Sequence, residues 1–242
     1  MDLTLLPVYL VLGQSYLQSG EPVKAKQFLS TYLRYETDNA QAWSMFGQAI
    51  FEQGDDFNAA IEAFDHALRI QDDLLSALIY RGLTYLALEE GKLAVNDLFA
   101  ARNLDRESFP ASLGLGRALL LAGRPEDALS QITGSQSLSK DDRQLAEVFY
   151  WRAMALEALG EKLAAAKDWQ ALLKLPKPAV PVEWIAIAQK HLAFLTPEPS
   201  RSPTLTRVTP VATKLTPSPH PSRTPSPTPS ASDTPPTVTH QH

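Results

Sequence analysis

Glycine recurs in this 242-residue chain on a fixed period, and that period limits the possible folds more than any other feature. Gly13, Gly47, Gly82 and Gly116 are separated by steps of 34, 35 and 34. Gly20, Gly54 and Gly123 follow three of them at a distance of seven, and a fifth unit has Ala153 in the first role and Gly160 in the second. Eight of the 11 glycines occupy one of these two registers. Self-similarity at such a spacing marks stacked supersecondary units, each unable to bury its apolar face alone. Between the glycines apolar residues have helical spacing, so each unit reads as two helices. The second glycine suits the positive φ just beyond a helix end. Pro22 and Pro125 share a register at the start of the second helix, where a missing N–H costs nothing, and Glu126 and Asp127 follow in the favourable first turn.

The second helices carry a small residue, Ala25, Ala60, Ala94, Ala128 or Ala165, and four positions later a large one, Leu29, Phe64, Leu98, Ile132 or Trp169. A small residue opposite glycine lets two backbones approach, and the large one fills the space beside them. Asp38, Asp72, Asp105 and Asp141 fall at unit ends, as turn and N-cap residues should.

This pattern resembles the tetratricopeptide repeat. The matching residues are Tyr9, Leu12, Gly13, Tyr16, Ala25 and Leu29 in the first unit, and Trp43, Phe46, Gly47, Ala60, Phe64 and Ala67 in the second. The third contributes Leu78, Gly82, Tyr85, Ala94, Leu98 and Ala101, and the fourth Leu115, Gly116, Leu119, Ala128 and Ile132. Phe149, Ala153, Leu156, Ala165 and Trp169 form the most divergent, fifth unit. The resemblance implies an all-α, right-handed solenoid of helical hairpins over residues 1–195. Its units are expected at about 6–39, 40–74, 75–108, 109–142 and 146–176, with a capping helix at 181–195 where Trp184 and Ala188 match the first helix of a sixth unit. The third unit has Glu89 in place of glycine, so a distorted turn is expected there. At the other end Leu3, Leu5, Leu6 and Tyr9 have no preceding unit to cover them. Fraying, self-association through this face, and a chain that is the C-terminal part of a longer protein are the three expectations it raises.

From Thr196 to His242 the composition changes. Those residues hold 12 of the 19 prolines, 11 threonines and 7 serines, and no aromatic residue. Such a segment has too little to bury against the entropy of ordering, so a disordered tail or stalk biased to polyproline II is expected. Its Ser-Pro and Thr-Pro steps are candidates for modification or for docking by a polyproline-binding module. By resemblance to bacterial envelope stalks the tail tilts localisation slightly outward, with the cytoplasm left open.

Chemistry is excluded more firmly than it is suggested. With no cysteine, a thiol nucleophile, a disulfide framework and Cys-ligated metal sites are ruled out. His66 and His191 are the only histidines before the tail, which leaves little material for a catalytic or metal constellation. The carboxylate pairs at Asp55-Asp56, Asp72-Asp73, Glu89-Glu90 and Asp141-Asp142 read as solvated turns, and no cofactor fingerprint occurs. A net charge of −5, with −7 in residues 1–195, opposes a nucleic-acid surface, and no stretch is long and apolar enough to span a bilayer.

What remains is a surface. In tetratricopeptide arrays the first helices line a groove, and the register carried over from the family places Leu10, Gln14 and Leu17 in it from the first unit. Ser44, Gln48 and Phe51 follow from the second, and Ile79, Leu83 and Leu86 from the third. The fourth supplies Leu113, Arg117 and Leu120, and the fifth Tyr150, Met154 and Glu157. Tight superhelical curvature would bury some of the leucines. Family members that clamp the acidic tails of heat-shock chaperones use a lysine and an asparagine in the first repeat, where this chain has Leu10 and Gln14. The expectation is therefore a non-catalytic protein-interaction scaffold taking an apolar peptide or partner protein, with Leu83→Glu and Leu113→Glu abolishing capture while leaving the fold intact. The alternatives are the docking or sensing part of a larger regulatory or enzymatic protein, and an envelope component with the tail as its stalk.

Overall fold

A computed structural model describes residues 5–195, and the expected tail at 196–242 lies outside them. Within that span eleven α-helices follow one another with no strand between them. They are α1 (Leu6–Gln18), α2 (Pro22–Leu33), α3 (Ala40–Gln53), α4 (Phe57–Ile70), α5 (Leu75–Ala87) and α6 (Gly91–Leu104). Then come α7 (Phe109–Leu121), α8 (Pro125–Ser135), α9 (Asp142–Ala158), α10 (Lys162–Lys174) and α11 (Val182–Leu195). Each helix packs on its successor, and the odd-numbered helices α1 to α9 also touch one another in sequence. This is the all-α solenoid of helical hairpins. Burial is divided among local clusters between neighbouring helices, as expected where a unit contacts only its neighbours.

The glycine register has a steric cause sharper than backbone approach alone. A methyl group placed on Gly47 would sit 2.6 Å from the Phe64 ring, and one on Gly82 2.6 Å from Leu98 Cγ. Gly13 and Gly116 meet Leu29 and Ile132 in the same way. Glycine and the large residue of the next helix are therefore one packing unit: the side chain fills the volume that Cβ would take.

The hairpin turns are uniform. Gly20, Gly54, Gly123 and Gly160 hold φ between 69° and 78°, and Glu89 takes φ 60° in the same place. The turn of the third unit is therefore not distorted; a non-glycine residue simply carries the strain of the left-handed conformation. Gly91, two residues on, is buried where α6 begins against the end of α7, with Ala122 N about 3.0 Å from a would-be Cβ. Pro22 and Pro125 occupy the first positions of α2 and α8. Of the aspartates expected to cap, Asp141 does so through Gln144 N, while Asn39 rather than Asp38 caps α3 and Ser108 rather than Asp105 caps α7.

Two arginines brace the stack. Arg81 on α5 gives a two-pronged pair to Asp97 on α6 at 2.7 Å and reaches Asp65 on α4 at 2.6 Å. Arg152 on α9 repeats the arrangement with Asp168 on α10 at 2.7 Å and Gln136 at 2.6 Å. Both arginines lie sixteen residues before their aspartate. These braces were not foreseen, although the shared spacing was visible in the sequence.

Candidate functional site

The face formed by α1, α3, α5, α7 and α9 divides by column. One column, three residues before each glycine register, turns between successive helices. Ser44 is buried there and shares a hydrogen bond of 2.8 Å with Ser76 of α5, Ile79 is buried with Leu78, Ala101 and Ala111, and Leu113 is 2% exposed in the largest cluster. These three belong to the seam between units, so Leu113→Glu would attack the core and not a ligand contact. Leu10 is half-buried in the same column against Ala25, Leu29 and Met45.

The next two columns remain accessible. Gln14 is exposed, and Leu17, Gln48, Leu83, Leu86, Arg117 and Leu120 are half-buried. Gln48 donates to Glu52 one turn on, at 2.8 Å. Phe51 is largely taken up by the rings of Phe57 and Tyr80, each centred 6.0 Å away.

Around Arg117 the face deepens. A cavity of about 400 Å3 is lined by Leu86, Glu89, Arg117, Leu120, Leu121 and Trp151. A second, of about 200 Å3, is lined by Arg117, Arg143, Glu147, Trp151, Pro181 and Trp184. The Arg117 guanidinium lies over the Trp151 ring at 4.7 Å, and both residues line the two cavities. Its Nε is buried without a hydrogen-bond partner. Burial pulls the Arg117 pKa below the ordinary arginine value, with the nearby Glu147 carboxylate opposing the shift. Burial pushes Glu147 above the usual carboxylate range, against the pull of Arg117 and Arg143. Trp151, Glu147 and Arg143 were not among the expected groove residues. They lie one helical turn apart along α9, and the signal for them was that spacing.

At the last unit the side chains are engaged. Tyr150 stacks on Trp184 of α11 at 4.5 Å, and Met154 packs with Trp169 and Val180. Glu157 accepts from Trp169 Nε1 and pairs with His191 Nδ1 at 2.8 Å. Glu157 is thus a fastening between α9, α10 and α11 and is not free for a peptide. His66 stacks on Trp43 at 4.5 Å on the outer surface. The cavity of about 550 Å3 beside His66 includes Arg81, whose charge is already held by Asp65 and Asp97. Among the described residues no three His, Cys, Asp or Glu side chains cluster to hold a metal ion, and no helix is long and apolar enough to cross a membrane.

The repeated hairpin, its glycine–large-residue packing and the face of first helices define a helical repeat solenoid, and residues 10–74 match the profile of the tetratricopeptide repeat family. The chain has the fold of tetratricopeptide-repeat proteins, and residues 10–74 carry the repeat that the family profile describes. No curated protein matches it. Among solved structures it is similar to MamA from Desulfovibrio magneticus RS-1, at 20% identity and a TM-score of 0.61 over 70% of this chain and 94% of that one. TTC0263, a thermophilic TPR protein of Thermus thermophilus, is 16% identical with a TM-score of 0.60 over 77% and 98% of the two chains. YrrB, described as a TPR protein with an unusual peptide-binding site, is 20% identical with a TM-score of 0.60 over 75% and 90%. Likeness at this level establishes the shared fold.

Proposed function

We propose that the chain is a non-catalytic scaffold that takes a peptide, or a peptide-like segment of a partner protein, along the face of its first helices. The observation that carries this reading is the cavity beneath Leu86, Leu120 and Leu121, walled by Trp151. Four of its six lining residues are apolar, and a side chain entering it would bury area at about 25 cal/mol per Å2. Peptide binding by YrrB, a chain of the same fold, supports the choice. The groove proposed here comprises Leu83, Leu86, Arg117, Leu120 and Trp151, flanked by Gln14, Leu17 and Gln48 toward the N-terminal end. Peptides selected from a random library by the full chain should lose binding to Leu83→Glu and Leu120→Glu while circular dichroism stays unchanged. Undiminished binding by both variants would exclude the groove as the binding face.

A second surface rests on a separate observation. Leu6 and Tyr9 pack against Tyr32, Leu33 and Ala42, so they are not the uncovered residues, and Leu3 lies outside the described ones. The exposed stripe is Leu5, Val8 and Val11, at 51%, 49% and 60% exposure. We propose that copies of the chain associate through it. Val8→Lys with Val11→Lys should lower the mass seen by light scattering at high concentration; a wild-type chain that stays monomeric there contradicts the proposal.

A further inference from the structure

Three arginines project from consecutive first helices: Arg81 on α5, Arg117 on α7 and Arg152 on α9. Two of them are fully answered by aspartates in bidentate geometry. Arg117 is not. No hydrogen bond or ion pair to it occurs among the described residues, and its Nε is buried. A buried donor without an acceptor loses its hydration with nothing in return, and such groups in folded proteins call for an explanation. Arg117 lines two cavities, so an acceptor brought by a ligand has room to arrive.

We propose that Arg117 receives the side-chain carboxylate of an aspartate or glutamate within the partner peptide, and that an apolar residue beside that acid fills the cavity of Leu86, Leu120 and Leu121. The inference rests on the groove reading above and names the chemistry it selects. Trp151 covers a face of the guanidinium at 4.7 Å and leaves the N–H donors, which lie in its plane, to a carboxylate. Arginine matches that partner in a fork, and in a site shielded by tryptophan the charge-assisted bonds are strong. Glu147 approaches closely enough to act on Arg117 electrostatically but forms no ion pair with it, so the carboxylate position is open. Two cavities, of about 400 and 200 Å3, border Arg117 and give room for chain beyond the acid, which favours an acidic side chain within the peptide over a terminal carboxylate. Glu89 and Glu147, one in each cavity, act against a ligand rich in acids and favour one isolated charge.

The probe is a random peptide library closed at its C terminus by a constant extension, selected against the full chain, with a second library of free C termini beside it. Binders from the closed library should share one Asp or Glu next to an apolar residue. Changing that acid to its amide should weaken binding by about tenfold or more, as loss of a charge-assisted pair does. Arg117→Gln, with its circular dichroism checked, should select apolar binders that lack the acid, and Arg117→Lys should restore part of the preference. The proposal is overturned if wild-type binders carry no such acid, if Arg117→Gln keeps the preference, or if binders come only from free C termini. In each of those cases the groove itself survives provided Leu120→Glu still removes binding. Binders indifferent to Leu83→Glu and Leu120→Glu, or a failure to select any, overturn the groove reading and this inference together.

Discussion

Three arginines on α5, α7 and α9 separate charge that is paired within the fold from charge that is not. Arg81 closes an ion pair with Asp97, itself 6% exposed, so Arg81→Gln leaves a buried carboxylate uncompensated. It should cost about 2–3 kcal/mol in denaturant unfolding. Arg117→Gln removes a donor that has no acceptor, and its unfolding midpoint should match or exceed the wild type. Equal losses for the two would mean that Arg117 is structural. Legibility also varies residue by residue. Gly82 and Leu98 were readable because their relation is fixed within one hairpin and repeated in the next. Ser44, Ile79 and Leu113 were not, because whether their column faces solvent or a neighbour depends on the twist between units. No local sequence pattern states that angle. Glu89 misled for another reason: glycine is the easiest left-handed residue but not the sole one able to adopt φ 60°.

At the scale of the element, two contacts decide how helices answer each other. Across the gap between α7 and α9, burial holds the Glu147 carboxyl above its ordinary value of 4.5. A raised folded-state pKa contributes stability that is fully present below that ordinary value and is lost as pH rises through the folded pKa. Wild-type stability should therefore fall, relative to Glu147→Gln, as pH increases from the usual carboxylate range toward neutrality. Chemical denaturation at several pH values checks this, and a difference independent of pH would show that Glu147 is solvated. At the end of the stack, α11 is fastened by His191 and Trp169 through the single carboxylate of Glu157. Glu157→Ala should speed hydrogen exchange in Val182–Leu195 while α1 to α8 keep their protection. The family register put Glu157 in the groove. Position in a repeat told where the residue sits but not that α11 would bring a histidine to it.

For the whole molecule, a stack in which each hairpin contacts only its neighbours offers a long face without a central site. The order of helices was legible because the period is carried by glycine, proline and alternating side-chain size, all local properties. The face was legible as a face. Its cavities at Arg117 and Trp151 were not, since they form only where α5, α7, α9 and the segment leading into α11 meet. The absence of cysteine and the scarcity of histidine leave little material for catalytic chemistry. The proposed function rests on the groove. Its most direct test is the affinity of one library-selected peptide for the wild-type chain and for Leu120→Glu, measured in solution with folding monitored on the same samples. A loss of about tenfold or more with unchanged helicity is the predicted result; equal affinity for the two proteins contradicts it.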